Sequence, residues 1–392
     1  MQRAVGTRNA KPKVETDIMR TENFPTPVMS ENIEPDIPAP MAGKSIQRDR
    51  VGNRRSFLKD VGLAGMVLSS GGAAVASEGP LNPSGIEPAG AGANPSSTAT
   101  TASAPSKRDL QGKVAVITGA ARGIGRAAAI ALATEGADIV GLDICAQVDP
   151  RSGVTPSTPA DLEETGRLIQ AAGVRWLGIK LDQRDLPALR AAAARVEQEF
   201  GGIHILFANA GTQSFHPLLE MEDADWSITI DINLTGTANT LRAFAPYMVK
   251  GGGGRIILTS STQGQHGTKY AAAYSASKWG IIGLMKSAAL EWGVHNITVN
   301  ALIPGLIDTP LTRHEERYAQ VLQTAGQQPT GSVANDEATA KKILTARSPL
   351  GVPWIEPEDV APAVVFLASD AARMVSGAAY DVTGGDSANN TA

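Results

Sequence analysis

The chain has two textures. Over residues 1–52 the apolar positions follow neither a helical nor a strand period, and stretches such as "FPTPVMSENIEPDIPAPM" are polar and proline-bearing. That pattern predicts a disordered extension. From Lys113 the pattern becomes regular. "KVAVITGAARGIGRAAAIALATEGADIVGLDI" reads as a short β-branched run, a glycine-rich turn, an alanine-rich helix starting near Ile124 and a second short apolar run. This is a β-α-β unit. Further strands are predicted before Asp182, in "ILFANAG" and in "GRIILTSSTQG". Strands alternating with helices predict an α/β domain, with a twisted parallel sheet covered by helices on both faces and no separate substrate domain.

Composition narrows the field. With 42% hydrophobic and 19% charged residues, the 392-residue chain falls among ordinary soluble globular proteins. A formal charge of −4 and the lack of a basic, aromatic-interleaved stripe argue against a nucleic-acid partner. The single cysteine, Cys145, excludes an internal disulfide framework and a cysteine-rich zinc site. His204, His216, His266, His295 and His314 show no metal-ligand spacing, so no metal site is expected.

Between the two textures lies "NRRSFLKDVGLAGMVLSSGGAAVASEGP". Arg54 and Arg55, with Phe57, Leu58 and Lys59, open a weakly apolar run that ends in the small-x-small pattern Ala74-Val75-Ala76. Residues 53–76 resemble a bacterial twin-arginine export signal. Glycines break the apolar run, which is shorter than the ~20 residues a bilayer requires, so no stable membrane span is expected. The arginine pair lies far from Met1, so either the leading segment is long or translation starts downstream, for instance at Met41. The resemblance implies a periplasmic destination; an unused signal leaves the protein cytoplasmic. Residues 77–107, rich in Pro, Gly, Ser and Ala, read as a flexible linker, and residues 108–388 as the folded domain.

Gly119, Gly123 and Gly125 stand between a strand and a helix. In that setting glycines let the backbone turn tightly and approach a pyrophosphate, whose charge the helix N-terminus favours. The spacing is T-G-x-x-x-G-x-G, with Arg122 and Ile124 in the same turn. Asp143 follows the second strand, where a carboxylate accepts hydrogen bonds from ribose hydroxyls and repels a 2′-phosphate, favouring NAD over NADP.

Tyr274 and Lys278, in "AAYSASKWG", lie four apart and so share a helix face. Thirteen residues before Tyr274 stands Ser261, beside Ser260 at a strand end. With Asp182, the Asn209-Ala210-Gly211 run and Asn233 in "DINLTG", these residues resemble the short-chain dehydrogenase/reductase family over about Leu110 to Asp386. The resemblance implies a Rossmann-type, doubly wound sheet of about seven strands. It selects Ser261 over Ser260 and makes Tyr274 the general acid/base, with Ser261 holding the substrate oxygen. Lys278 is expected to lower the tyrosine pKa and hold the nicotinamide ribose, and Asn233 to anchor a water. Asp182, Asn209, Ala210, Gly211 and, in "IPGLIDTP", Ile307 and Thr309 would border the cofactor. The expected reaction moves a hydride between NAD and a secondary alcohol or ketone, in a homotetramer or homodimer.

The segment at 144–165 is longer than the family usually carries and resembles the carveol-dehydrogenase-like, mycofactocin-associated subgroup. That likeness implies NAD held tightly enough to be recycled in place, with an external redox partner. Pro304 and Gly305 depart from the subgroup's usual pair. Residues 311–350 read as a helical substrate lid. Gln213, Gln263, His266 and Trp354 are further substrate-side residues, each more readily structural. The competing readings are an NADPH-dependent ketoreductase for acyl carriers, which Asp143 opposes, and a non-catalytic dinucleotide sensor or scaffold, which the intact Tyr274–Lys278 pair opposes.

Overall fold

The computed structural model describes residues 109–389. The extension at 1–52, the export-signal segment and the linker lie outside them. Seven strands form one sheet: β1 (Val114–Thr118), β2 (Asp138–Asp143), β3 (Trp176–Lys180), β4 (Ile205–Ala208), β5 (Gly254–Thr259), β6 (Ile297–Pro304) and β7 (Ala379–Val382). Their order is β3-β2-β1-β4-β5-β6-β7, and every pair is parallel.

The alternation of side chains along each strand sorts the core into two layers. Ala115, Ile117 and Ile257 face one layer, with α1 (Gly123–Thr134) and α9 (Pro357–Ala368). Val114, Val116, Ile256 and Leu258 face the other, with α3 (Leu186–Phe200), α5 (Gly236–Lys250) and α6 (Ala272–Trp292). Because both faces are covered, β1 reads as the unbroken apolar run VAVIT, with all five residues buried. The helices expected on both faces are present.

The chain leaves β1 toward β2 on one side and later returns to β4 on the other. The ends of β1 and β4 therefore form the switch point where a crevice opens. The long segment after β2 divides in two: an irregular stretch to Thr158, then α2 (Pro159–Ala171). Thr158 accepts from the Asp161 N–H while the Asp161 carboxylate accepts from the Thr158 N–H, and Pro159 occupies the first helical turn. The irregular insertion is thus shorter than 144–165. Residues after β6 supply α7 (Glu315–Thr324) and α8 (Val333–Arg347), which close on a small core of Tyr318, Val321, Leu322, Ala340 and Trp354. Among the described residues no helix is long and apolar enough to cross a membrane.

Candidate active site

The glycine turn is built by backbone crowding. A β-carbon on Gly125 would stand 2.0 Å from the Gly119 carbonyl oxygen, so α1 can start this close to β1 only with glycine there. Thr118 Oγ1 accepts the N–H groups of Asn209 and Ala210, both at 3.0 Å, and Asn209 Nδ2 donates to the Thr118 carbonyl at 3.1 Å. Thr259 Oγ1 completes the bridge by donating to Asn209 Oδ1 at 3.1 Å. Asn209 thereby fastens the ends of β1, β4 and β5.

Asp143, at the end of β2, is buried. One carboxylate oxygen accepts from the Ala121 N–H at 3.0 Å; the other accepts from the Cys145 N–H at 3.0 Å and the Ser157 hydroxyl at 2.7 Å. The acid is held in place by the glycine turn on one side and the insertion on the other. The same insertion pushes the Cys145 thiol up to about 11, through burial and the Asp143 charge beside it.

On the opposite layer, α4 (Asp223–Ile230) runs into a π turn at Asp231–Thr235 before α5 begins. The π turn carries Asn233, whose Oδ1 accepts the Thr212 N–H at 2.8 Å. Its Nδ2 donates to the Thr212 carbonyl at 2.9 Å and to Ser277 Oγ at 3.0 Å. Asn233 therefore joins the β4 loop to α6. The two strand-end serines separate as well: Ser260 donates to the Lys278 carbonyl at 2.8 Å, while Ser261 lies within hydrogen-bonding reach of Tyr274.

Lys278 is 3% exposed, and its Nζ donates to the Thr259 carbonyl at 2.9 Å and stands 5.5 Å from the Tyr274 ring centroid. Burial lowers its pKa to about 8. The sequence leads us to expect Lys278 to bring the tyrosine down, and in the structure burial works against that direction. Burial raises the Tyr274 pKa, and the opposing influences are the Ser261 hydrogen bond and the charge of Arg317 on α7.

These groups line one cavity of ≈ 560 Å³. It brings together Gly119, Arg122, Gly123, Ile124, Asp143, Asp182, Asn209, Ala210, Gly211, Ser261, Tyr274, Lys278, Ile307 and Thr309. Gly125 and Asn233 stand behind its wall as supports. Gln213, Gln263 and His266 are on the lining, whereas Trp354 sits behind it, edge-on to Tyr318 at 6.3 Å and beneath the Arg313 guanidinium at 4.2 Å. Arg317 and Gln183 line the cavity without having been picked out from the sequence, and Thr118, the first residue of the glycine-turn motif, lines it too. Gln183 Nε2 donates to the Ile232 carbonyl at 2.7 Å and the Ala210 carbonyl at 3.2 Å, and so braces the same loop.

A doubly wound sheet with a glycine turn and a Ser–Tyr–Lys grouping in one cleft defines a dinucleotide-fold oxidoreductase. The comparisons agree: residues 113–319 match the family described as short chain dehydrogenase, and residues 328–387 the one described as Enoyl-(Acyl carrier protein) reductase. The chain belongs to the short-chain dehydrogenase family. It is 39% identical over 279 residues to (-)-trans-carveol dehydrogenase of Rhodococcus erythropolis, which covers 70% of this chain and 98% of the relative. The crystal structure of carveol dehydrogenase from Mycobacterium avium in complex with NAD is 38% identical. It matches with a TM-score of 0.66 over 71% of this chain and 98% of its own. A short chain dehydrogenase from Mycobacterium paratuberculosis bound to NAD is 36% identical, with a TM-score of 0.62 over 71% and 99%.

Proposed function

We propose that this protein is an NAD-dependent oxidoreductase interconverting a secondary alcohol and its ketone. The observation that carries the reading is the gathering of Ser261, Tyr274 and Lys278 on the wall of the cavity that also holds the glycine turn and Asp143. The NAD-bound relatives support it. The residues fit a dinucleotide: a close-packed glycine turn opens onto a helix N-terminus, and a fixed carboxylate stands at the end of β2. The Asp143 charge opposes a 2′-phosphate and so disfavours the acyl-carrier ketoreductase reading.

When bound, NAD exchanges a hydride with the substrate carbon. Tyr274, protonated at neutral pH, gives its proton to the substrate oxygen in reduction; in oxidation its deprotonated form accepts the proton of the alcohol. Ser261 orients that oxygen, and Lys278 would hold the nicotinamide ribose. Asn233, through Thr212 and Ser277, keeps the β4 loop and α6 in register around it.

The insertion after β2 is read as a strap over the cofactor. Arg151 Nη1 lies 2.7 Å from Asp225 on α4, and Gly153 packs against Glu316 on α7. A strap of this kind supports slow release of NAD, and an exported enzyme that carries its cofactor through the twin-arginine route is part of the same proposal.

The test is Tyr274→Phe. Turnover of secondary alcohols falls by roughly 10²- to 10⁴-fold, the usual weight of a general acid/base, while NAD still co-purifies by mass spectrometry. Unchanged turnover refutes the assignment.

A further inference from the structure

Two arginines of the lid region, one helical turn apart, have opposite surroundings. Arg313 is matched: its Nη1 pairs with Asp308 at 2.8 Å, its Nη2 with Glu337, and its guanidinium covers the Trp354 ring. Arg317 has no ion pair among the described residues. Its Nη1 donates to the neutral Gln320 amide at 2.6 Å, its guanidinium lies 4.9 Å from the Phe215 ring centroid, and its Nε is shut off from solvent with no hydrogen-bond partner. Although Arg317 keeps some exposed surface, burial of its head lowers its pKa to about 10, and the group coupled to it is Tyr274.

Three nearby acids are engaged elsewhere, and Glu315 is exposed to solvent. Asp308 and Glu337 serve Arg313, and the Glu316 carboxylate meets His314 Nδ1 at 2.9 Å. Arg317, Gln320, Val321 and Thr324 form one stripe of α7 along the cavity, and Lys269 adds a second positive charge to this part of the lining. The Arg317 guanidinium lines the cavity with no carboxylate beside it, and an anion held in the cavity would supply the missing counter-charge.

We infer that Arg317 is the receptor for an anionic group of the substrate, so that the substrate class is secondary alcohols and ketones carrying a carboxylate a few bonds from the reacting carbon. The inference rests on the oxidoreductase reading above, but a binding measurement separates the two. Arg317 acts here as a specificity residue, and its charge near Tyr274 is matched once the carboxylate binds.

The experiment compares three keto acids, 4-oxopentanoate, 5-oxohexanoate and 6-oxoheptanoate, with their methyl esters, using the full chain and NADH. Wild-type protein is expected to prefer at least one acid over its ester by roughly 10- to 100-fold in kcat/KM, as a charge-assisted hydrogen-bonded pair supplies. Arg317→Gln collapses that acid-to-ester ratio, Arg317→Lys keeps part of it, and both variants keep NAD through gel filtration. If no ketone is turned over, calorimetric binding of the same pairs to wild type and Arg317→Gln still decides. Acid binding lost in the variant supports the inference even as the oxidoreductase reading falls. Three results overturn it: no acid preference in wild type, equal loss for acid and ester with a displaced pH profile (which would assign Arg317 to tuning Tyr274), or loss of NAD from Arg317→Gln.

Discussion

Gly153, in the segment after β2, lies directly against the Glu316 carboxylate of α7. A β-carbon there would stand 1.7 Å from Glu316 Oε2, and Gly153 also has φ +64°. A side chain here would have to push the exposed end of Glu316 aside while holding a backbone conformation that favours glycine. Gly153→Ala is therefore expected to loosen the proposed strap. Strain of this kind is worth about 1–3 kcal/mol, so NAD should leave the variant roughly ten times faster or more, read as nucleotide lost during dialysis. Equal retention in wild type and variant would mean that this contact does not hold the strap.

Asp143 answers to two different measurements. Asp143→Asn removes the charge that opposes a 2′-phosphate, so the ratio of kcat/KM for NAD to that for NADP should fall at least tenfold. It also weakens acceptance from Ala121, Cys145 and Ser157. That change should destabilise the fold by about 1–3 kcal/mol in denaturant melts. A stable variant with unaltered cofactor preference would remove Asp143 from the cofactor site.

Lys278 links the site to pH. Its folded pKa, about 8, lies below the usual 10.5, so the unfolded chain binds more protons between those values. Burying the charged lysine is a full burden below pH 8 and is relieved as pH rises toward 10.5. Relative to Lys278→Met, wild-type protein should thus gain about 3 kcal/mol of stability between pH 7 and pH 10.5. Paired denaturant melts at both pH values check this. A constant difference would show that the ammonium is better solvated than its 3% exposure indicates.

The export reading is tested by cell fractionation. Replacing Arg54 and Arg55 with lysine should strand the protein in the cytoplasm with its alcohol-oxidising activity intact. Periplasmic protein in both cases, or in neither, would remove the twin-arginine route.

The sequence made the sheet and most of the cavity legible because those features rest on short-range pattern. The VAVIT run, the glycine spacing, and Tyr274 with Lys278 are all local signals. What escaped it depends on what packs where. Arg317 stands in "RHEERY", which looks like a solvated helix face, and only the fold shows that Glu315 faces out, Glu316 meets His314 and the insertion, and Arg317 and Gln320 line the cavity. The 3.6-residue period offered a signal: Tyr318, Val321 and Leu322 mark the buried side of α7, with the stripe at Arg317, Gln320 and Thr324 beside it. The rise in the Tyr274 pKa was hidden for a related reason. Spacing announces a neighbouring lysine, but the enclosing protein sets how strongly burial opposes it.

The π turn at Asp231–Thr235 works as a phase shifter between two helices. Widening one turn rotates everything after it relative to what came before. α4 can then lay one stripe on α6 while α5 turns a different stripe to α3, and Asn233 falls at the angle that reaches both Thr212 and Ser277. Removing a single residue from this turn would leave the composition of the site untouched and yet swing Asn233 by about 100°, one residue's share of a 3.6-residue turn. In this protein, chain length at that turn is as much a part of the site as the identity of its side chains.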